Sequence, residues 1–187
     1  MKEDISKALE VLQKGGVILY PTDTIWGIGC DATNEKAVQR IYSIKQREDS
    51  KSMLVLLHQA SMLPGYVSEI PDVAWELIEV ATDPMTIIYP GAKNLAPNLV
   101  SSDGSIGIRI TSDEFCQALI SRFRKPIVST SANISGQASP GYFLEIDPTI
   151  LEQVDYVVEW RQEEMARAKP SSIIKLGAGG QLEILRK

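Results

Sequence analysis

The 187-residue sequence contains one histidine and two cysteines. With His58 alone, a histidine-rich metal site is excluded by count. Cys30 and Cys116 lie far apart and form no CxxC pair, which argues against a disulfide framework and against a cysteine zinc site. An excess of positive charge is also missing. Lys and Arg number 19 against 24 Asp and Glu, for a net charge of −5. A protein that binds nucleic acid over its whole surface is basic; here only a local basic cleft on an acidic body stays open. The longest apolar runs reach five or six residues, far short of the roughly 20 needed to cross a bilayer. Lys2, Glu3 and Asp4 leave the first residues without the apolar core of a signal peptide. Repeats and low-complexity stretches are absent. With 44% hydrophobic and 23% charged residues, the composition excludes intrinsic disorder as a description of the whole. The expectation is a soluble, cytoplasmic protein with one domain over residues 1–187 and no membrane association.

Hydrophobic spacing supplies the elements. Ile5, Ala8, Leu9 and Leu12 predict a helix over 4–14, stopped by Gly15-Gly16. Val17-Ile18-Leu19-Tyr20 reads as a buried strand ended by Pro21. Asn34 caps a second helix through Ile44, which ends near Lys45-Gln46-Arg47. Residues 53–57 and 85–89 read as strands, with a helix around Val73–Ile78 between them. Ile106-Gly107-Ile108-Arg109-Ile110 alternates, so Gly107 and Arg109 share the face opposite the isoleucines. A helix over 113–123 leads to a strand at 126–130, and another helix is expected near 145–153. Strands at 156–158, 172–176 and 182–185 follow, the last two joined by a turn at Gly177–Gly180. Helices alternate with strands and strands then dominate. The fold class is α/β, with a twisted mixed sheet, flanking helices and an open ligand cleft.

Three polar segments sit where ligands bind in such sheets, beyond strand ends. In Tyr20–Gly29, the hydroxyls of Thr22 and Thr24 suit a small polar ligand and Gly27 and Gly29 permit close approach; a capped turn over a core tryptophan fits the same residues. Lys45, Arg47 and Lys51 could clamp a phosphate, or they could be a solvated helix end favoured by the helix dipole. Ser129-Thr130-Ser131-Ala132-Asn133 offers short donors and acceptors, or simply a polar turn. The charge of Arg109 must meet solvent, a carboxylate or a ligand. There is no P-loop, no G-x-S-x-G elbow and no partner signal for His58.

In this order and spacing, the segments resemble the YrdC-like family, the threonylcarbamoyl-AMP synthases. The likeness rests on the Pro21-Thr22-Asp23 loop, Lys45 and Arg47 as a K-x-R, Arg109 in its alternating strand, Ser129 to Asn133 as S-T-S-A-N, and Pro170-Ser171-Ser172. It runs from about residue 5 to 185. Thr82-Asp83-Pro84 departs from a Gly-Pro often found there, and the histidine of some members after K-x-R has no counterpart in Val55-Leu56-Leu57. The carboxy-terminal extra domain of longer members is not seen, which suggests the short, single-domain type.

The resemblance implies a nucleotidyltransferase that joins threonine, bicarbonate and ATP into threonylcarbamoyl-adenylate with release of pyrophosphate. Partner threonylcarbamoyltransferase proteins then act on tRNA. It implies Lys45 and Arg47 as catalytic residues. Lys45, Arg47, Lys51, Arg109, Ser129 and Asn133 would contact ATP and its phosphates, and Thr22, Thr24 and Ser131 the threonine or carbamate. Mg²⁺ is expected with the triphosphate, no protein metal site is expected, and tRNA binding by the isolated chain should be weak. The alternative is a YrdC-like paralogue that binds nucleotide or RNA without synthase activity.

Overall fold

The computed structural model describes residues 1–46, 53–177, 179 and 181–187. Helix α1 (Lys2–Gln13) buries Ile5, Ala8 and Leu12 along one stripe, and Gly15 turns the chain at φ +77°. Strand β1 (Ile18–Tyr20) follows, fully buried. The next segment differs from the sequence expectation. Gly27–Gly29 is not loop but a strand, β2, antiparallel to β1 and to β6 (Ile127–Ser131). Its glycines explain both the strand and its concealment. A Cβ on Gly29 would lie 2.3 Å from the Val128 carbonyl oxygen and 2.6 Å from the Tyr20 ring. The missing side chain makes room for the fold there rather than for a ligand.

Helix α2 (Glu35–Ile44) starts as its sequence indicates, with the Asn34 side chain accepting from the Ala37 N–H. Strand β3 (Leu54–Leu57), helix α3 (Asp72–Val80), strands β4 (Met85–Tyr89) and β5 (Ile106–Ile110) and helix α4 (Glu114–Phe123) follow. The α4 N-cap is Asp113, bonded to the Cys116 N–H. The helix expected at 145–153 shrinks to a 3-10 turn at Phe143–Glu145 and one turn, α5 (Pro148–Leu151). Pro148 keeps the residue before it out of the helical region, so no helix can run through this point.

Strands β7 (Tyr156–Val157), β8 (Ser172–Leu176) and β9 (Leu182–Arg186) complete a nine-stranded sheet of order β7-β1-β2-β6-β3-β5-β4-β8-β9 among the described residues. The pairs β1/β7, β3/β5 and β4/β8 are parallel and the rest antiparallel. The mixed sheet matches the expected fold class. Exposure differs sharply along it: the inner strand β1 has no exposure at all, whereas every residue of the edge strand β9 is exposed. Cys30 and Cys116 are both buried free thiols. No helix is long and apolar enough to cross a membrane among the described residues.

Candidate functional site

Register places the site. Arg109 in β5 is directly opposite Thr86 in β4, Thr86 is opposite Ile173 in β8, and Ile173 is opposite Arg186 in β9. Paired residues share a face, so a row crosses four strands with a guanidinium at each end. The adjoining floor is flat because Gly107 is opposite Ile88. This face forms the floor of a cleft of about 260 Å³. Seven hydroxyl side chains line it: Thr24, Thr86, Ser129, Thr130, Ser131, Ser139 and Ser171. Arg109 and Arg186 also line it, and no carboxylate, thiol or imidazole does among the described residues.

Arg109 is 3% exposed. Its Nη2 lies 3.1 Å from Asp23 Oδ1 and 3.4 Å from Thr22 Oγ1. The charge therefore meets a carboxylate, one of the outcomes its alternating position allowed. Its Nε is buried with no hydrogen-bond partner, a costly arrangement unless a ligand supplies an acceptor. At the other end of the row, Arg186 Nε donates to the Ser171 carbonyl at 2.8 Å. Burial first, and then repulsion from Arg109, lower the Arg186 guanidinium below its ordinary value. An anion between the two would relieve that repulsion.

The Pro21–Thr24 loop is fixed by its own hydroxyls. Thr22 Oγ1 accepts from the Thr24 N–H at 3.0 Å, lies 3.0 Å from Thr24 Oγ1, and donates to the Ile25 carbonyl at 2.9 Å. Asp23 Oδ2 accepts from Thr111 Oγ1 and the Ser112 N–H, both at 3.1 Å. Arg161, in the left-handed region at φ +69°, donates to the Thr22 carbonyl at 3.2 Å and to Asp113 Oδ2 at 2.9 Å. Trp26 is 6% exposed, stacks at a tilt on Phe143 with centroids 4.9 Å apart, and also edges the cleft. The capped turn over a core tryptophan is thus present, and Thr24, Trp26 and Gly27 of the same loop line the cleft.

The anticipated site residues divide by depth. Thr24, Arg109, Ser129 and Ser131 line the cleft, and Thr22 lies just beneath. Lys45 is buried, and its ammonium donates to the Ser131 carbonyl and, at 2.6 Å, to the Asn133 carbonyl. It therefore grips the S-T-S-A-N loop from below. Asn133 donates to the Ile134 and Gln137 carbonyls at 3.0 and 2.8 Å, and its Oδ1 is buried without a partner. Arg47 and Lys51 lie outside the described residues. His58 is half-buried and lines neither the cleft nor its neighbour. Burial pushes both thiols up, so neither is a ready thiolate.

Sequence reasoning missed Arg186, Thr86, Ser171 and Arg161. Arg186 was concealed by an irregularity: plain alternation from Ile184 would put it on the face opposite Arg109, and the β8/β9 register shift between Ile173 and Ile174 brings it onto the Arg109 face. Thr86 was legible in principle, since it is the one small polar residue in an otherwise bulky strand.

The pattern of the Sua5/YciO/YrdC family, described as "Telomere recombination", matches residues 10–187. The threonylcarbamoyl-AMP synthase of Pseudoalteromonas translucida (strain TAC 125) is 35% identical over 158 residues, covering 83% of this chain and 84% of that protein. The crystal structure of E. coli YciO superposes with a TM-score of 0.86 at 28% identity, covering all of this chain and 90% of that one. P. abyssi Sua5 complexed with L-threonine shares the fold, with a TM-score of 0.86 at 23% identity; the match covers 97% of this chain but 53% of that one. The chain thus spans about half the length of Sua5. With its nearly full-length match to the family pattern, the chain belongs to the Sua5/YciO/YrdC family.

Proposed function

We infer that the chain is a threonylcarbamoyl-AMP synthase, a nucleotidyltransferase that makes threonylcarbamoyl-adenylate from threonine, bicarbonate and ATP. The observation that carries this reading is the cleft itself: two guanidiniums, seven hydroxyls, an orphaned Arg109 Nε and no acid. Such a lining attracts anions and offers no nucleophile. The reaction asks for that. The threonine amine and bicarbonate give a carbamate with loss of water. A carbamate oxygen then attacks the α-phosphorus of ATP, the bond to the bridging oxygen breaks, and pyrophosphate leaves. Aligning two anions and offsetting their charge supplies the catalysis. The synthase relative and the threonine complex of Sua5 support the assignment of nucleotide and amino acid.

In this reading Arg109 and Arg186 hold phosphate or carboxylate oxygens. Thr22, Thr24 and Ser131 face the threonine or carbamate, and Ser129 faces the nucleotide. Lys45 and Asn133 set the S-T-S-A-N loop, and Arg47 and Lys51 complete the phosphate contacts. Mg²⁺ enters with the triphosphate; no cluster of three or more acidic, histidine or cysteine side chains among the described residues could hold it. The product passes to threonylcarbamoyltransferase proteins that act on tRNA, in the cytoplasm. The net charge of −5 keeps direct tRNA binding weak at physiological salt.

Pyrophosphate release should require both threonine and bicarbonate. Serine should be a poor substitute, since one missing methyl in a fitted pocket is worth about 1–3 kcal/mol. Release that runs equally fast without threonine overturns the reading. Nucleotide binding with no release at all places the chain with the non-synthase paralogues.

A further inference from the structure

A second cavity, of about 290 Å³, lies on the other face of β4 and β5. Its walls come from Ile87 and Tyr89 of β4, Ile108 and Ile110 of β5, and Ile78 of α3. Asp23 and Asp83 also line it, and no Lys, Arg or His does among the described residues. The Asp23 side chain is 7% exposed and its charge is met by Arg109 at 3.1 Å, so the groove's net negative charge comes from Asp83. The groove is thus apolar at its floor, with neutral polar residues (Thr82, Thr111, Ser112 and Gln117) and two carboxylates at its rim.

Helix α3 extends that character outward. Val73, Ala74, Leu77 and Ile78 face the protein, fully or partly buried. Asp72, Trp75, Glu76, Glu79 and Val80 form the opposite stripe at i, i+3, i+4, i+7 and i+8, and all five are exposed. Trp75 and Val80 are 38% and 71% exposed. Trp75 stands one turn from Ile78 and so beside the groove. The charge is equally localised. Residues 67–92 hold five acids and no base, leaving 19 acids against 19 bases elsewhere. The whole net charge of the chain therefore resides on this segment.

We propose that the exposed stripe of α3 and the groove beneath it dock a basic, amphipathic segment of a partner protein. Exposed Trp and Val in a stripe provide apolar anchors, and aromatic anchors are those that dominate interfaces. The ring of acids selects the sign of the occupant. It repels the same segment of a second copy of this chain, nucleic acid and an anionic bilayer alike. Only a cationic occupant with an apolar face satisfies both halves of the surface. The proposal does not depend on the synthase reading, because the surface lies across the sheet from the cleft.

The test uses the full chain and an 18-residue amphipathic helical peptide of leucine and lysine, titrated calorimetrically at physiological salt. Saturable one-to-one binding is expected. The Glu76→Lys/Glu79→Lys variant should weaken it by about tenfold or more. The charge-matched control Glu152→Lys/Glu163→Lys should stay within about twofold, because those exposed acids lie elsewhere. Trp75→Ala should also weaken binding, with the melting temperature unchanged in all three variants. Equal losses in the two double variants would reduce the effect to general electrostatics and overturn the proposal. So would the absence of saturable binding, or tighter binding of tRNA or of phosphatidylserine vesicles than of the peptide.

Discussion

The two faces of β4 and β5 are built from alternate residues of the same strands, yet they carry opposite chemistry. One face presents Gly107, Arg109, Thr86 and Ile88 to a cleft with two cations and, among the described residues, no acid. The other presents Ile87, Tyr89, Ile108 and Ile110 to a groove with two acids and, among the described residues, no cation. A period of two is enough to separate the functions, because a strand sends successive side chains to opposite sides. The Arg109–Asp23 ion pair joins the two sides, since Arg109 lines the cleft and Asp23 the groove.

Breaking that joint should have the largest effect. Arg109→Ala strands the buried Asp23 carboxylate and should cost about 3–5 kcal/mol of stability, along with most adenylate formation. Adding Asp23→Asn should restore much of the stability but not the activity. Denaturant unfolding of the single and double variants measures the coupling; a double variant as unstable as the single one would show that the pair is not what holds the joint.

Gly107→Val alters the cleft face alone. An added Cβ meets the Thr86 methyl at 3.4 Å and Leu54 at 3.6 Å, so the strand accommodates it, but the floor is no longer flat. We expect a loss of about a hundredfold in kcat/KM from misplaced substrate, with little change in unfolding midpoint. Arg186→Ala should follow with a loss of about 1.5–3 kcal/mol in transition-state stabilisation, seen as lower kcat/KM for ATP in a protein that melts normally. Arg186→Lys should recover only part of it, lacking the planar fork.

Away from these faces, acid should act through Asp155. Its carboxyl is held below the usual range, first by the Arg40 side chain and also by the Val17 N–H, against the opposing effect of burial. A depressed native value means that this stability is present above the unfolded-state value and is lost as pH falls from about 4 through the native value. Asp155→Asn should flatten the stability profile in that window and leave it unchanged near pH 7 in slope. The smallest effect is expected at the exposed sheet end: Ile184→Ala should shift stability by no more than about 0.5 kcal/mol, against about 2–5 kcal/mol for Ile87→Ala within the groove wall.

Most elements were legible because burial follows simple periods, as in Ile5, Ala8 and Leu12 or Ile106, Ile108 and Ile110. Caps at Asn34 and Asp113 are local hydrogen bonds and hence visible in short sequence windows. What was not legible depends on distant partners. Gly27–Gly29 is a strand because its bare backbone fits between Tyr20 and Val128, a reason that lies in those distant partners as well as in the glycines. Lys45 reads as an exposed cation at a helix end, but its burial depends on carbonyls 86 and 88 residues away. Arg186 reaches the cleft only through a register shift. The site was therefore readable as segments, and its assembly required the sheet order.

In the proposed site, the row that ends in Arg186 ties anion binding to the exposed edge of the sheet. Strand β8 joins β4 after a crossover from β7, and β9 is held by β8 alone. A two-stranded hairpin with an exposed outer member is the element that opens first in native-state fluctuations. Each opening removes one guanidinium while the buried half of the sheet stays folded. The measured affinity for an anion is then the intrinsic affinity scaled by the fraction of time the hairpin is closed, and bound nucleotide should in turn slow amide exchange in β8 and β9 more than in β1 or β2.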